Sequence, residues 1–163
     1  MISDFERTSM IQDGYFYTFS YDATHKDINY DKYPFVFCIE PNPKNLNTII
    51  CLNFHYLPLS VRISLLQKFN QFYDMINGDQ RIVGFVTASV LKDKLPYGKD
   101  AIRVYQRKNI NQLYRVPAKN VGKYIEYDGY FIEEKPGEVM NKYWLDYGTP
   151  ESDTPKMNPA SEL

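Results

Sequence analysis

The densest chemistry in the sequence is cationic. Between Lys92 and Lys123 stand nine Lys and Arg (Lys92, Lys94, Lys99, Arg103, Arg107, Lys108, Arg115, Lys119 and Lys123) against Asp93 and Asp100, a local charge of +7. Tyr97, Tyr105 and Tyr114 are interleaved with them. Cations that track phosphates, and rings on which bases stack, are what a nucleic-acid surface requires. Arg103, Tyr105, Arg107, Lys108, Arg115, Lys119 and Lys123 are therefore the candidate binding residues. Protein offers the same cations another partner. Residues 124–163 carry nine acids and three Lys, and residues 1–91 carry nine acids and seven bases, so the whole chain sums to −1. Attraction between the basic stretch and the acidic one, or between neighbouring copies in an assembly, is weighed ahead of nucleic acid.

Catalytic chemistry finds less to work with. His25 and His55 are the two histidines. His55 follows Cys51 by four residues on an expected strand, about 13 Å along it, too far to share a metal. No CxxC, HExxH, Walker-type Gly-Lys or Gly-x-Ser-x-Gly pattern occurs. Glu133 and Glu134 adjoin in a charged stretch and read as a solvated face rather than an acid–base pair. A packaged hydrolase or nuclease would need a carboxylate cluster for metal that the sequence does not display. The expectation is a structural His55, no cofactor, no metal and no enzyme.

The elements that must hold these residues follow from periodicity. Tyr15 to Tyr21 alternates as a strand. Phe35 to Glu40 reads as a second strand, stopped by Pro41 and Pro43, and Thr48 to Tyr56 as a third. Antiparallel pairing of the last two, with residue numbers summing to 89, sets Phe35 against Phe54, Phe37 against Leu52 and Ile39 against Ile50 on one apolar face. Cys38 and Cys51 then oppose each other on the other face as reduced, half-buried thiols, because directly opposed strand cysteines rarely meet disulfide geometry. Beyond Pro58 the stripe Val61, Leu65, Phe69, Phe72, Ile76 predicts a helix ending at Asn77-Gly78. Arg81 to Leu91 is read as a second helix, although its β-branched content also permits a strand. Ala101 to Arg107 and Gln112 to Val116 look extended, with a tight turn at Pro117 to Asn120 and a closing strand at Lys123 to Tyr127.

With 163 residues, 44% of them apolar and 16% aromatic, the chain suits one packed domain. The expected fold is α+β: a small bent antiparallel sheet or SH3-like barrel with a helical insertion at about 58–95. Residues 1–13 form an N-terminal arm, 14–147 the domain and 148–163 an extended tail. That tail has too little apolar surface to order itself, so a neighbouring chain is expected to hold it. No apolar run approaches the roughly 18 to 20 residues that span a bilayer, and the acidic N-terminal residues do not read as an export signal. No membrane contact is expected, and two cysteines suit a reducing compartment.

Three stretches are familiar together: Gly14 to Asp22, Tyr30-Asp31-Lys32-Tyr33-Pro34-Phe35-Val36, and Leu52-Asn53-Phe54-His55-Tyr56-Leu57-Pro58 with Arg62. Their order resembles a tailed-bacteriophage family, the DNA end protectors of T-even-like phages, with Ala101 to Tyr105 and Leu113 to Pro117 as a looser continuation. The chain departs from that pattern at Pro41 to Asn47, in place of a Gly-rich turn, and at Val121-Gly122-Lys123, in place of a Trp. The resemblance implies a virion protein assembled in the host cytoplasm, a structural component of neck, tail or baseplate among other virion proteins; the alternative is a protein that binds the termini of packaged DNA. The motif residues Tyr30, Asp31, Pro34, Asn53, His55, Tyr56, Leu57, Pro58 and Arg62 also make sense without any ligand. Asp31 can cap the turn before Pro34, Asn53 and His55 can bond backbone where the third strand ends, and Arg62 can pair with Asp31.

Overall fold

Tyr15, Tyr17, Phe19 and Tyr21 fall on one side of an extended segment and Phe16 on the other, and all five are buried. A strand apolar on both sides must be covered on both. The computed structural model describes residues 4–23, 31–76, 79–83 and 87–126. Eight strands lie among them: β1 (Glu6–Arg7), β2 (Phe16–Tyr21), β3 (Phe35–Pro41), β4 (Thr48–Asn53), β5 (Tyr73–Ile76), β6 (Asp79–Ile82), β7 (Ile102–Gln106) and β8 (Ile110–Val116). The helices are α1 (Leu59–Phe69), α2 (Ala88–Lys94), α3 (Gly98–Ala101) and α4 (Ala118–Tyr124), with 3-10 turns at Phe54–Tyr56 and Arg107–Asn109. Six strands form one antiparallel sheet in the order β1-β8-β2-β3-β4-β7, and β5-β6 is a separate hairpin. The fold is α+β, as expected.

The Tyr21 hydroxyl on β2 accepts from the Gln106 amide at the end of β7, 3.0 Å away, although β3 and β4 lie between those strands. The sheet is therefore strongly curled. Its concave side encloses Tyr17, Phe19, Tyr21, Val36, Cys38, Ile49, Cys51, Tyr105 and Leu113. The other side carries Phe16, Phe35, Phe37 and Leu52, covered by Leu65 and Phe69 of α1 and by Val121 and Ile125 at α4. Rings dominate there: Phe37 and Phe69 lie 4.8 Å apart between centroids, and Phe16 touches Phe37, Phe54 and Phe69.

The sum of 89 holds at Val36–Asn53, Phe37–Leu52 and Cys38–Cys51. Beyond Cys38 a bulge at Ile39 shifts the register, so Ile50 meets Glu40 rather than Ile39. Cys38 and Cys51 are free thiols but fully buried, not half-buried, because the concave side is itself a core. The third strand stops at Asn53, where the Asn53 side chain accepts from the His55 amide and opens the 3-10 turn.

Other expectations need correction. The first helix ends at Phe69, and residues 73–76 leave it to pair with 79–82 as a hairpin. Asn77-Gly78, read as a helix stop, is the residue pair most favoured for a two-residue hairpin loop. The second helix spans 88–94 instead of 81–91; Thr87 caps it by accepting from the Val90 amide. The closing turn falls at Arg107–Asn109, one strand earlier than expected, and Pro117 sets φ −54° to open helix α4 where a strand was foreseen over 123–127.

Residues 4–13, read as part of an arm, lie along the sheet: Glu6 and Arg7 pair with Arg115 and Tyr114, while Phe5 and Ile11 enter the two cores. The tail 148–163 lies outside the described residues.

Candidate functional site

The motif residues gather where β4 turns into α1, around a buried carboxylate. Asp31 and His55 are 3% and 5% exposed, and Asn53 is fully enclosed. Asp31 Oδ1 accepts from the Tyr33 amide at 3.1 Å, the cap expected of it before Pro34. Its Oδ2 accepts from Asn53 Nδ2 at 3.1 Å and lies 2.5 Å from His55 Nδ1. Asn53 Nδ2 also donates to the Tyr105 hydroxyl on β7, 3.1 Å away, while its Oδ1 accepts from the His55 amide. The Asp31 amide donates to the Tyr56 hydroxyl. Pro34 contributes its carbonyl, which accepts from the Thr18 hydroxyl at 2.9 Å. Every strand that meets here is thus tied to the same few side chains.

Arg62 does not pair with Asp31. Its Nε donates to the Leu57 carbonyl at 2.9 Å and its Nη1 to the Ile125 carbonyl at 3.3 Å, so it joins the start of α1 to the end of α4. Pro58 precedes α1, and its carbonyl accepts from the Val61 and Arg62 amides. Tyr30 lies outside the described residues. Chemically the cluster is a lock: a carboxylate is bonded at once to a side-chain amide and to an imidazole Nδ1 in a buried place.

The basic candidates stand on different elements. Arg103 on β7 stands over the Tyr56 ring, 4.8 Å from its centroid, at the rim of the lock. Tyr105, expected as a stacking platform, is buried in the concave core, where burial first and Tyr56 second push its hydroxyl pKa well up and keep it neutral. Arg115 on β8 pairs with Glu6 and covers Tyr15. Lys119 and Lys123 are exposed on α4, with Lys123 3.8 Å from Asp4. Arg107 and exposed Lys108 occupy the 3-10 turn between β7 and β8.

Arg107 borders a cleft of about 430 Å³ that also takes in Arg7, Thr8, Met10, Asn111 and Gln112. Arg7 and Arg81 were not foreseen. Nothing local marks Arg7 in the sequence; only the pairing of β1 with β8 brings it beside Tyr114, whose hydroxyl accepts from Arg7 Nη1 at 3.3 Å. Arg81 shares a second cleft, of about 420 Å³, with Arg107, and is neutralised by Asp13 at 3.1 Å. Among the described residues no group of three or more His, Cys, Asp or Glu comes together to hold a metal, and no helix is long and apolar enough to cross a membrane.

The features so far define a class: a small α+β protein with a polar lock in its core and cations distributed over its surface. A family model described as Phage T4 terminal DNA protecting protein matches residues 5–97, more than half of the chain, and the chain belongs to that family. The match includes Asp31, Asn53, His55 and Arg62 and ends before β7. Compared with curated proteins and with solved structures, the chain gives no match.

Proposed function

We propose that this protein binds the termini of linear phage DNA and shields them, acting by occupancy rather than by catalysis. Membership of the terminal DNA protecting family carries the reading, and it favours end binding over a purely structural neck, tail or baseplate role. The surface agrees with it: Lys108 and Lys119 stand in solvent on turns and short helices, as phosphate-tracking cations must. Arg103, Arg107, Arg115 and Lys123 complete the DNA-facing set in this proposal, with Tyr105 behind them in the lock. The meander β2-β3-β4-β7, with β8 returning to β2 across a 3-10 turn, supports an SH3-like reading of the barrel.

Composition favours a second, compatible role inside the virion. Residues 148–163 contain three Pro and few apolar side chains, so this tail, following a domain proposed to run from residue 14 to residue 147, is proposed to be ordered by other virion proteins.

The test is protection of a linear duplex from an exonuclease, together with a gel-shift titration at two salt concentrations. End binding predicts protection, and an affinity that falls by roughly 0.9 log units per phosphate contact for each decade of salt. Absence of binding at low salt overturns it.

A further inference from the structure

The cations of the surface differ in what neutralises them. Arg115 has Glu6, Arg81 has Asp13 and Lys123 has Asp4. Arg7 and Arg107 are held by neutral groups instead. Arg107 Nε donates to the Leu46 carbonyl at 3.2 Å and its Nη1 to the Ile11 carbonyl at 3.3 Å. Arg7 donates to the Tyr114 hydroxyl, and its guanidinium carbon stands 5.2 Å from the Tyr114 ring centroid. Among the described residues no carboxylate lies within ion-pair distance of either. Glu6, the neighbour of Arg7, is directed to Arg115, as strand alternation requires of adjacent residues. Both guanidiniums are therefore oriented while keeping their full charge, and both line the same cleft.

The cleft is built as well as charged. On β8 the register against β2 slips between Thr18 and Ser20, and within that bulge Gln112 adopts φ 49°, a left-handed backbone that a side-chain-bearing residue rarely takes. A bulge of this kind re-aims the side chains around it, and strain held at one place in a sheet is a mark of function. Here Gln112 lines the cleft together with Arg7 and Thr8, which run along the neighbouring strand. Met10, which lines it too, is 60% exposed, and Leu46, 71% exposed, lines the second cleft that Met10 and Arg107 share. Large apolar side chains left in water next to uncompensated guanidiniums call for a ligand with an anionic part and a flat apolar part.

A duplex terminus has both, and a duplex interior does not: the end exposes a phosphomonoester and the unstacked face of its last base pair. We infer that the cleft between β1 and the β7–β8 turn holds the 5′-phosphate of a DNA end between Arg7 and Arg107, with Met10 and Leu46 against the terminal base pair. The inference rests on the end-binding reading and narrows it to one chemical group.

The experiment compares three short duplexes of one sequence: blunt with 5′-phosphates, blunt with 5′-hydroxyls, and a dumbbell closed at both ends. The wild-type protein should bind the phosphorylated duplex about tenfold more tightly than the hydroxyl duplex, as expected for one further charge-assisted contact. Arg107→Gln and Arg7→Gln should each abolish that preference, bringing the ratio of the two affinities from about tenfold to about one. Lys119→Gln should weaken both equally. Arg7→Gln removes only a contact to Tyr114, so it remains informative if Arg107→Gln unfolds. Equal binding of the two blunt duplexes, with the dumbbell bound more weakly, overturns the phosphate site and leaves end binding standing. A dumbbell bound as tightly as the linear forms overturns end binding itself, and the site with it.

Discussion

Replacing Asp31 by Ala removes the acceptor on which three groups converge: the Tyr33 amide, Asn53 Nδ2 and His55 Nδ1. The losses are unequal. His55 loses its bond to the carboxylate, and Asn53 Nδ2 keeps the Tyr105 hydroxyl. The bond from the Tyr33 amide is lost outright, and a hydrogen bond to a charged acceptor is worth about 1.5–3 kcal/mol. Adding the weakened Asn53 contact and the small void brings the expected loss to about 2–5 kcal/mol, a large part of the stability of a domain of this size. With a urea slope of about 2 kcal/mol per M, a loss of 3 kcal/mol lowers the midpoint by about 1.5 M at unchanged slope. Asp31→Asn should cost less, about 1–2 kcal/mol, because its carbonyl still serves Tyr33 while its amide meets the Asn53 amide donor to donor. Combining Asp31→Ala with Asn53→Ala should cost less than the sum of the two, since they share a bond. An Asp31→Ala variant within about 0.5 kcal/mol of wild type would refute the idea that this cluster locks the fold.

Two further outcomes follow from buried and paired groups elsewhere. Burial, reinforced by its neighbour Cys51, pushes the Cys38 thiol far up, so Cys38 should stay unmodified by a thiol reagent at pH 9 until urea unfolds the chain, and Cys51, enclosed in the same core, should be out of the reagent's reach; rapid labelling of the native protein would contradict the double-sided core. Elsewhere, the Tyr124 hydroxyl donates to Asp4 and, against desolvation and with help from Lys123, holds the Asp4 carboxyl below its ordinary value. The folded-state pKa is the lower one, so this link adds stability above the ordinary carboxylate range and gives it up as pH falls through the folded value. Tyr124→Phe should return the Asp4 titration, followed by NMR, toward the ordinary range; an unchanged titration would deny the hydroxyl its role.

Much of the sheet was legible because period-2 alternation is a strong constraint once a face is buried. Phe37 against Leu52 and Cys38 against Cys51 follow from alternation alone. What alternation cannot show is an inserted residue, and the bulge at Ile39 left no mark in the residue types around it. The Asn77-Gly78 pair is ambiguous in the sequence, since it ends helices and turns hairpins equally well; only the pairing of Tyr73–Ile76 with Asp79–Ile82 decides between them. Pro117 was likewise read as a turn when its fixed φ opens a helix. Within the site, the acceptor of Asp31 in the capping turn was readable from its spacing to Pro34. The choice of His55 rather than Arg62 as its partner was not, because it depends on the 3-10 turn that swings His55 inward. The local charge count found Arg107 but placed Tyr105 on the surface, since interleaving in sequence says nothing about which side of a strand faces solvent.

The boundary of the family match at residue 97 is not a physical boundary. Tyr105, beyond it, accepts from Asn53 and so completes the lock whose other members lie inside the matched range. β8, also beyond it, pairs with β1 and β2 and is the strand against which Arg7 and Phe16 are positioned. Removing residues after 97 would therefore take away two strands of the six-stranded sheet, expose the aromatic concave core and deprive the Asn53 amide group of one of its acceptors, so the matched part is not expected to keep its fold alone. The proposed phosphate site has the same composite build: Arg7 comes from the matched range, Arg107 and the strained Gln112 from the segment after it. The family range thus supplies the frame and one of the two cations, and the strands that follow it supply the second cation together with the strain that shapes the cleft.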